Sequence, residues 1–287
     1  MDIAAEFRAA CALELEALKP GNVHRRAAGH GMTVDDFLRS ADAAAGPLCR
    51  AGARLGERVL GAVAATRAAV GQNTNLGIVL LCAPLAQGAE MAAEGAPADD
   101  LRASLRDAIA ASDLGDADAV FRAITLASPG GLGAAARHDV REPARVLLPQ
   151  AMAGAADRDS IARQWTTGFA DVFEAGVPAF EAALARWGAE TWAATATFLG
   201  LLARLPDSHI ARKHGAEAAE AVRREAARAS ARLDASADPE RLAPELLAWD
   251  VDLKRRGLNP GTSADLTVAA IFARRLRIGL RRRPFAG

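Results

Sequence analysis

Asparagine, histidine and lysine are scarce in this chain, and they are not scattered. Its four Asn, five His and three Lys all fall in five short polar segments: 19–31 (KPGNVHRRAAGHG), 71–77 (GQNTNLG), 129–142 (PGGLGAAARHDVRE), 206–215 (PDSHIARKHG) and 254–265 (KRRGLNPGTSAD). These are side chains that donate hydrogen bonds, carry compact positive charge or move protons, and four of the segments also hold an aspartate or a helix-capping residue. In 19–31, Pro20-Gly21 alone accounts for a turn. Yet 32 of the 35 basic residues are Arg, and a Lys at 19 supplies a point charge that suits a phosphate oxygen without a planar fork. His24 and His30, six apart in a predicted turn region, are either surface loop residues or residues with a functional role. In 71–77, Thr74 or Asn75 is a natural N-cap for the apolar stretch that follows. The same helix amides, with Asn73 and Thr74 beside them, can also hold a phosphate or a sugar hydroxyl.

Segment 129–142 contains Gly131-x-Gly133-x-x-Ala136, a nominal dinucleotide fingerprint, but the residues before it read as helix and no βαβ unit surrounds it. A glycine-rich approach to a ligand followed by His138 and Asp139 is one reading, and a surface turn is the other. In 206–215, Asp207-Ser208 is capping chemistry, and His209, Arg212 and Lys213 share one helical face at i, i+3 and i+4. They repel one another unless an anion or solvent lies among them. In 254–265, Thr262 or Ser263 would cap a last helix, and the helix dipole alone accounts for Asp265 in its first turn.

The elements that must position these residues are helices. Ala, Leu, Arg and Glu dominate, Tyr is absent, and alternating β-branched runs are rare. The spacing predicts an all-α protein, a single large multi-helical domain over 1–287 whose joints converge on one cavity. Helices are expected over 2–18, 33–45, 47–70, 76–93, 97–112, 116–127, 143–154, 158–175, 178–203, 211–233, 239–256 and 263–282. Thr33 with Asp36 reads as a capping box, and Pro143 and Pro178 suit first helical turns. Glu217, Glu220, Arg224 and Arg228 are spaced for Glu-to-Arg pairs on an exposed face.

Composition closes off several functions. Thirty-five basic against 35 acidic residues give a net charge of +0, so no global field recruits nucleic acid or a membrane surface. Cys11, Cys49 and Cys82 are distant and odd in number, which argues against disulfides or zinc and for core thiols in a reducing cytoplasm. The charged N-terminus does not read as a signal peptide, and none is expected. The longest apolar run, 76–85, is short of the roughly 20 residues that cross a bilayer. No phosphate loop, zinc helix or nucleophile elbow is present, and the dispersed Trp and Phe read as core.

Taken in order, the segments resemble the triphosphoribosyl-dephospho-CoA synthase family over nearly the whole chain. The likeness rests on Lys19-Pro20-Gly21, Asn73-Thr74 with Gly77, Asp207 with the basic run to Gly215, and Asn259-Pro260-Gly261 with Ser263-Ala264-Asp265-Leu266. The chain departs from the family pattern in four places. His24 stands for an acidic residue, Asn75-Leu76 for His-Lys, Ser208-His209 for Thr-Asn, and Lys213-His214-Gly215 for Arg-Gly-Gly.

The resemblance implies transfer of a triphosphoribosyl group from ATP to the 2′-hydroxyl of 3′-dephospho-CoA, with adenine leaving and Mg²⁺ on the triphosphate. It implies small-molecule nucleotide substrates and leaves homo-oligomers open. It also implies that Asp207 and Asp265 are metal-linked or general-base carboxylates, with Asp139 a third. Lys19, Arg212 and Lys213 would hold phosphates. Asn22, Asn73, Asn75 and Asn259 would orient ribose or base, with His24, Thr74, His209 and Ser263 completing the binding set. Substituting Asp207 or Lys19 is then expected to stop turnover while leaving the fold intact. Two alternatives stand beside this reading: a divergent ribosyl or phosphoribosyl transferase or hydrolase in a one-carbon, pterin-type pathway, and a helical binding protein without catalysis.

Overall fold

The computed structural model describes residues 1–95, 100–129, 133 and 138–281. Among the described residues there are no strands, only two isolated bridges within the loop at 24–32. Helices α1 (Ile3–Glu16), α2 (Val34–Leu48), α3 (Leu55–Val70), α4 (Leu76–Gly95), α5 (Leu101–Ala110), α6 (Leu114–Ala127) and α7 (Leu148–Ala153) make the first half. The second half holds α8 (Ser160–Thr167), α9 (Val177–Trp187), α10 (Glu190–Arg204), α11 (Ser208–His214), α12 (Ala216–Ala235), α13 (Ala243–Arg255) and α14 (Gly261–Arg281). A π-helical turn, Asp171–Gly176, precedes α9, and a 3₁₀ turn, Pro239–Leu242, precedes α13.

Helices α4 and α14 lie against each other at the centre, and α1, α5 and α8 pack on both. Helix α14 is buried almost continuously from Thr262 to Ala273, so a helix that starts in a polar segment then runs through the core. Phe7 of α1 meets Phe272 of α14 edge to face, with ring centroids 5.7 Å apart, an arrangement the ring quadrupoles favour. By length and hydropathy Leu76–Ala93 would pass for a membrane span. It is apolar because neighbours cover most of its surface, including α5, whose Leu105 backbone lies 2.8 Å from where a Cβ on Gly88 would sit. Cys11 and Cys82 are buried thiols, and burial pushes both well above the usual thiol range.

The predicted capping box at Thr33 and Asp36 is present, and Pro178 lies in the first turn of α9. Other boundaries move for local reasons. The span expected over 47–70 begins at Leu55, because Pro47 still belongs to α2 and a turn through Gly52 separates the two helices. The spans 178–203 and 211–233 each divide, at Gly188 and Gly215, whose φ of +66° and +89° helical geometry does not allow. Residues 143–147 are coil, so Pro143 starts no helix, and Pro149 takes that place in α7. On α12, Glu220 pairs with Arg223 rather than forming the expected ladder with Arg224.

Candidate active site

Segment 254–265 is the hub to which three of the other four segments attach. From 19–31, the Asn22 amide donates to Asn259 Oδ1 at 2.8 Å, and Lys254 Nζ reaches the Ala27 carbonyl at 3.2 Å. A side chain on Gly21 would come within 2.9 Å of both the Leu258 carbonyl and the Pro260 ring, so only glycine permits this approach. From 71–77, Gly77 packs against the Asp265 carboxylate. From 206–215, Asp207 and Ser208 bond to Ser263 and Thr262.

Asp207 is the joint of this assembly. One of its oxygens accepts from the amides of His209 and Ile210, capping α11, and the other accepts from the amide and hydroxyl of Ser263 in the first turn of α14. The cap of α14 is therefore supplied from 56 residues away, not by Thr262 or Ser263 as the sequence suggested. Four donors occupy the carboxylate, which leaves it ill-suited as the base or metal ligand expected of it. Burial raises its proton affinity, and those four hydrogen bonds lower it.

Several expected anion contacts turn inward. Lys19 is fully buried and donates to Glu14 and, at 3.0 Å, to Asn22 Oδ1. Its ammonium is therefore paired within the loop rather than presented to solvent. Burial lowers its proton affinity while Glu14 and Asp265 restore part of it. His24 is also buried, with Nε2 3.4 Å from Asp250 and Nδ1 unpartnered. Burial keeps it below the usual imidazole range. Thr74 is buried against the Ser40 hydroxyl, and the Asn75 amide donates to Thr66 at 3.0 Å. Asn73 Oδ1 accepts from the Leu76 amide at 3.1 Å and so closes the start of α4.

What remains directed outward is narrower and better defined. Asp265 is partly exposed and makes no hydrogen bond with any described residue. Burial of its surroundings, then Glu14 and Asp207, push it well above the carboxylate range, with Lys19 opposing. Beside the Asp207 joint, His209 Nε2 is buried without a partner. Burial, with Lys213, Arg212, His30 and His214 around it, lowers that imidazole to about 3. Positive charge is thus concentrated on α11, although Asp159 at the start of α8 lies 3.6 Å from Arg212. Two narrow clefts meet at Asn75, one reaching Glu14 and Phe37 and the other reaching Gln72 and Asn73.

Of segment 129–142, residues 129, 133 and 138–142 are described. The Gly131-x-Gly133-x-x-Ala136 stretch falls largely outside the described residues. Asp139 accepts from the backbone and guanidinium of Arg141. Among the described residues no three His, Cys, Asp or Glu side chains form a metal-holding group. With Asp207 saturated, the donor set does not fit a resident metal ion.

Glu14, Asp250 and Asp159 were not anticipated. Asp250 is buried and gathers the Gly21 amide at 2.8 Å, Lys254 Nζ at 2.9 Å and His24. Its only sequence signal is the i, i+4 spacing to Lys254. Glu14 lies in the last turn of α1, five residues before Lys19, and reads as an ordinary surface glutamate. Asp159 caps α8, whose Ser160 amide joins the hub through Ser208.

No protein of curated function matches the chain. A candidate triphosphoribosyl-dephospho-CoA synthase from Archaeoglobus fulgidus has a similar solved structure, at 26% identity and a TM-score of 0.63, covering 83% of this chain and 96% of that one. The model of the ATP:dephospho-CoA triphosphoribosyl transferase family matches residues 1–283. With that match over nearly its whole length and a helical architecture shared with the solved structure, this chain belongs to the ATP:dephospho-CoA triphosphoribosyl transferase family.

Proposed function

We propose that this chain carries out the family reaction at the hub, with Asp265 as proton acceptor and the α11 face as the triphosphate site. The 2′-hydroxyl oxygen of 3′-dephospho-CoA attacks the anomeric carbon of ATP. The bond from that carbon to adenine breaks, and the base leaves with the electron pair and takes up a proton. The hydroxyl proton passes to Asp265. Positive charge develops on the ribose in the transition state, and the carboxylates of Asp265 and Glu14 oppose it, which is stabilisation where charge appears. Lys213, Arg212 and His214 face the triphosphate, with His209 neutral beside them. Mg²⁺ arrives as counter-ion of the triphosphate, and no step here depends on it.

The observation that carries this reading is Asp265, without a hydrogen bond to any described residue, on the helix whose first turn is joined to cationic α11. The test is adenine release from ATP in Mg²⁺ buffer, followed by chromatography, with and without dephospho-CoA. Release that requires the acceptor is expected. Release without it would identify a hydrolase, and no release in either case would overturn the proposal.

A further inference from the structure

The first turn of α4 carries a glycine that helix geometry does not require. Gly77 has ordinary helical backbone, with none of the positive φ that would demand glycine. Alanine there would favour the helix by about 1 kcal/mol. A Cβ built on Gly77 would overlap Oδ2 of Asp265 and lie 2.7 Å from its Cγ and 3.3 Å from its Cβ. The obstacle is a short side chain on a helix buried over most of its length, so the carboxylate itself must move.

Asp265 has no hydrogen bond with the described residues to resist such a push. Its location is set by the walls around it, and the flat wall on the α4 side exists because residue 77 has no side chain. Asp207 offers the contrast, since four donors fix it from two helices.

We propose that Gly77 is a positioning residue for Asp265, seating its carboxylate across the first turn of α4 at the distance the reaction needs. This rests on Asp265 being the proton acceptor. A displacement of about 1 Å in such a group lowers turnover by about 100-fold. Gly77→Ala is therefore expected to reduce kcat by about that factor while the KM for ATP changes less than about threefold, because the α11 face is untouched. The melting temperature should hold or rise. In an Asp265→Ala background, where the carboxylate is gone, Gly77→Ala should leave the residual rate unchanged and the melting temperature unchanged or higher.

Retained kcat in Gly77→Ala, with Asp265→Ala inactive, would overturn the positioning role and leave the proton-acceptor reading standing. Retained kcat in both variants would overturn both. Should Gly77→Ala not fold, the double variant Gly77→Ala/Asp265→Ala should fold, since the overlap with the carboxylate has been removed and only a 3.3 Å contact between the two Cβ atoms is left. Failure of that rescue would show that the glycine serves another contact.

Discussion

Burial, then Glu14 and Asp207, raise the proton affinity of Asp265, and no described donor offsets them. Its ionised form accepts the substrate proton, so kcat should rise with pH along a limb lying above the ordinary aspartate value of 3.8. Asp265→Asn should lower kcat by about 100- to 10,000-fold, the usual contribution of a positioned base. The same shift works against the fold. The native state binds this proton more tightly than the unfolded chain, so the stabilising effect is complete below about pH 4 and fades as pH rises through the native value. At pH 7 Asp265→Asn should therefore melt higher than the parent while turning over more slowly, which calorimetry beside steady-state kinetics would reveal.

Two buried ionic groups act as fasteners, the Asp207 carboxylate between elements and the Lys19–Glu14 pair at the end of α1. Asp207→Ala would remove the caps of α11 and α14 together. At about 0.5–2 kcal/mol per cap, urea titration should show a loss of about 1–4 kcal/mol, with activity falling because the hub loosens. The expectation that the Asp207 substitution leaves melting intact therefore does not hold for this geometry. Lys19 behaves similarly: Lys19→Met strands the Glu14 carboxyl in the core and should destabilise the protein by about 3–5 kcal/mol. Replacing both partners, Glu14→Met with Lys19→Met, should recover most of that loss in the same titration. A Lys19 that mainly bound substrate would show the opposite pattern, with stability unmoved by the single change.

For the whole molecule, the cationic face of α11 has a consequence that needs no turnover. A polyanion binding only the folded form stabilises it by mass action, about 2.7 kcal/mol at a hundred times its dissociation constant. Inorganic tripolyphosphate should raise the melting temperature, the rise should shrink with added salt, and Lys213→Glu should abolish most of it. An equal rise in that variant would place the anion elsewhere.

Helix was legible from composition, and the polar joints from the rarity of Asn, His and Lys, because propensity, capping and turn chemistry are local and act over a few residues. The breaks at Gly188 and Gly215 were missed because helical periodicity resumes on either side of them. Lys19 and His24 stand out by rarity of type and Asp207 by its capping position, but type and position do not say whether a charge faces solvent or core. That was decided by packing. Lys19 turned inward because Glu14 is one α-helical end away, Asp207 because two helix starts meet on it, and Asp265 stayed free because Gly77, distant in sequence, leaves room for its carboxylate. Chemistry depends on which lone pairs and protons are left over once the fold has satisfied its own, and that remainder is set only by contacts between residues far apart along the chain.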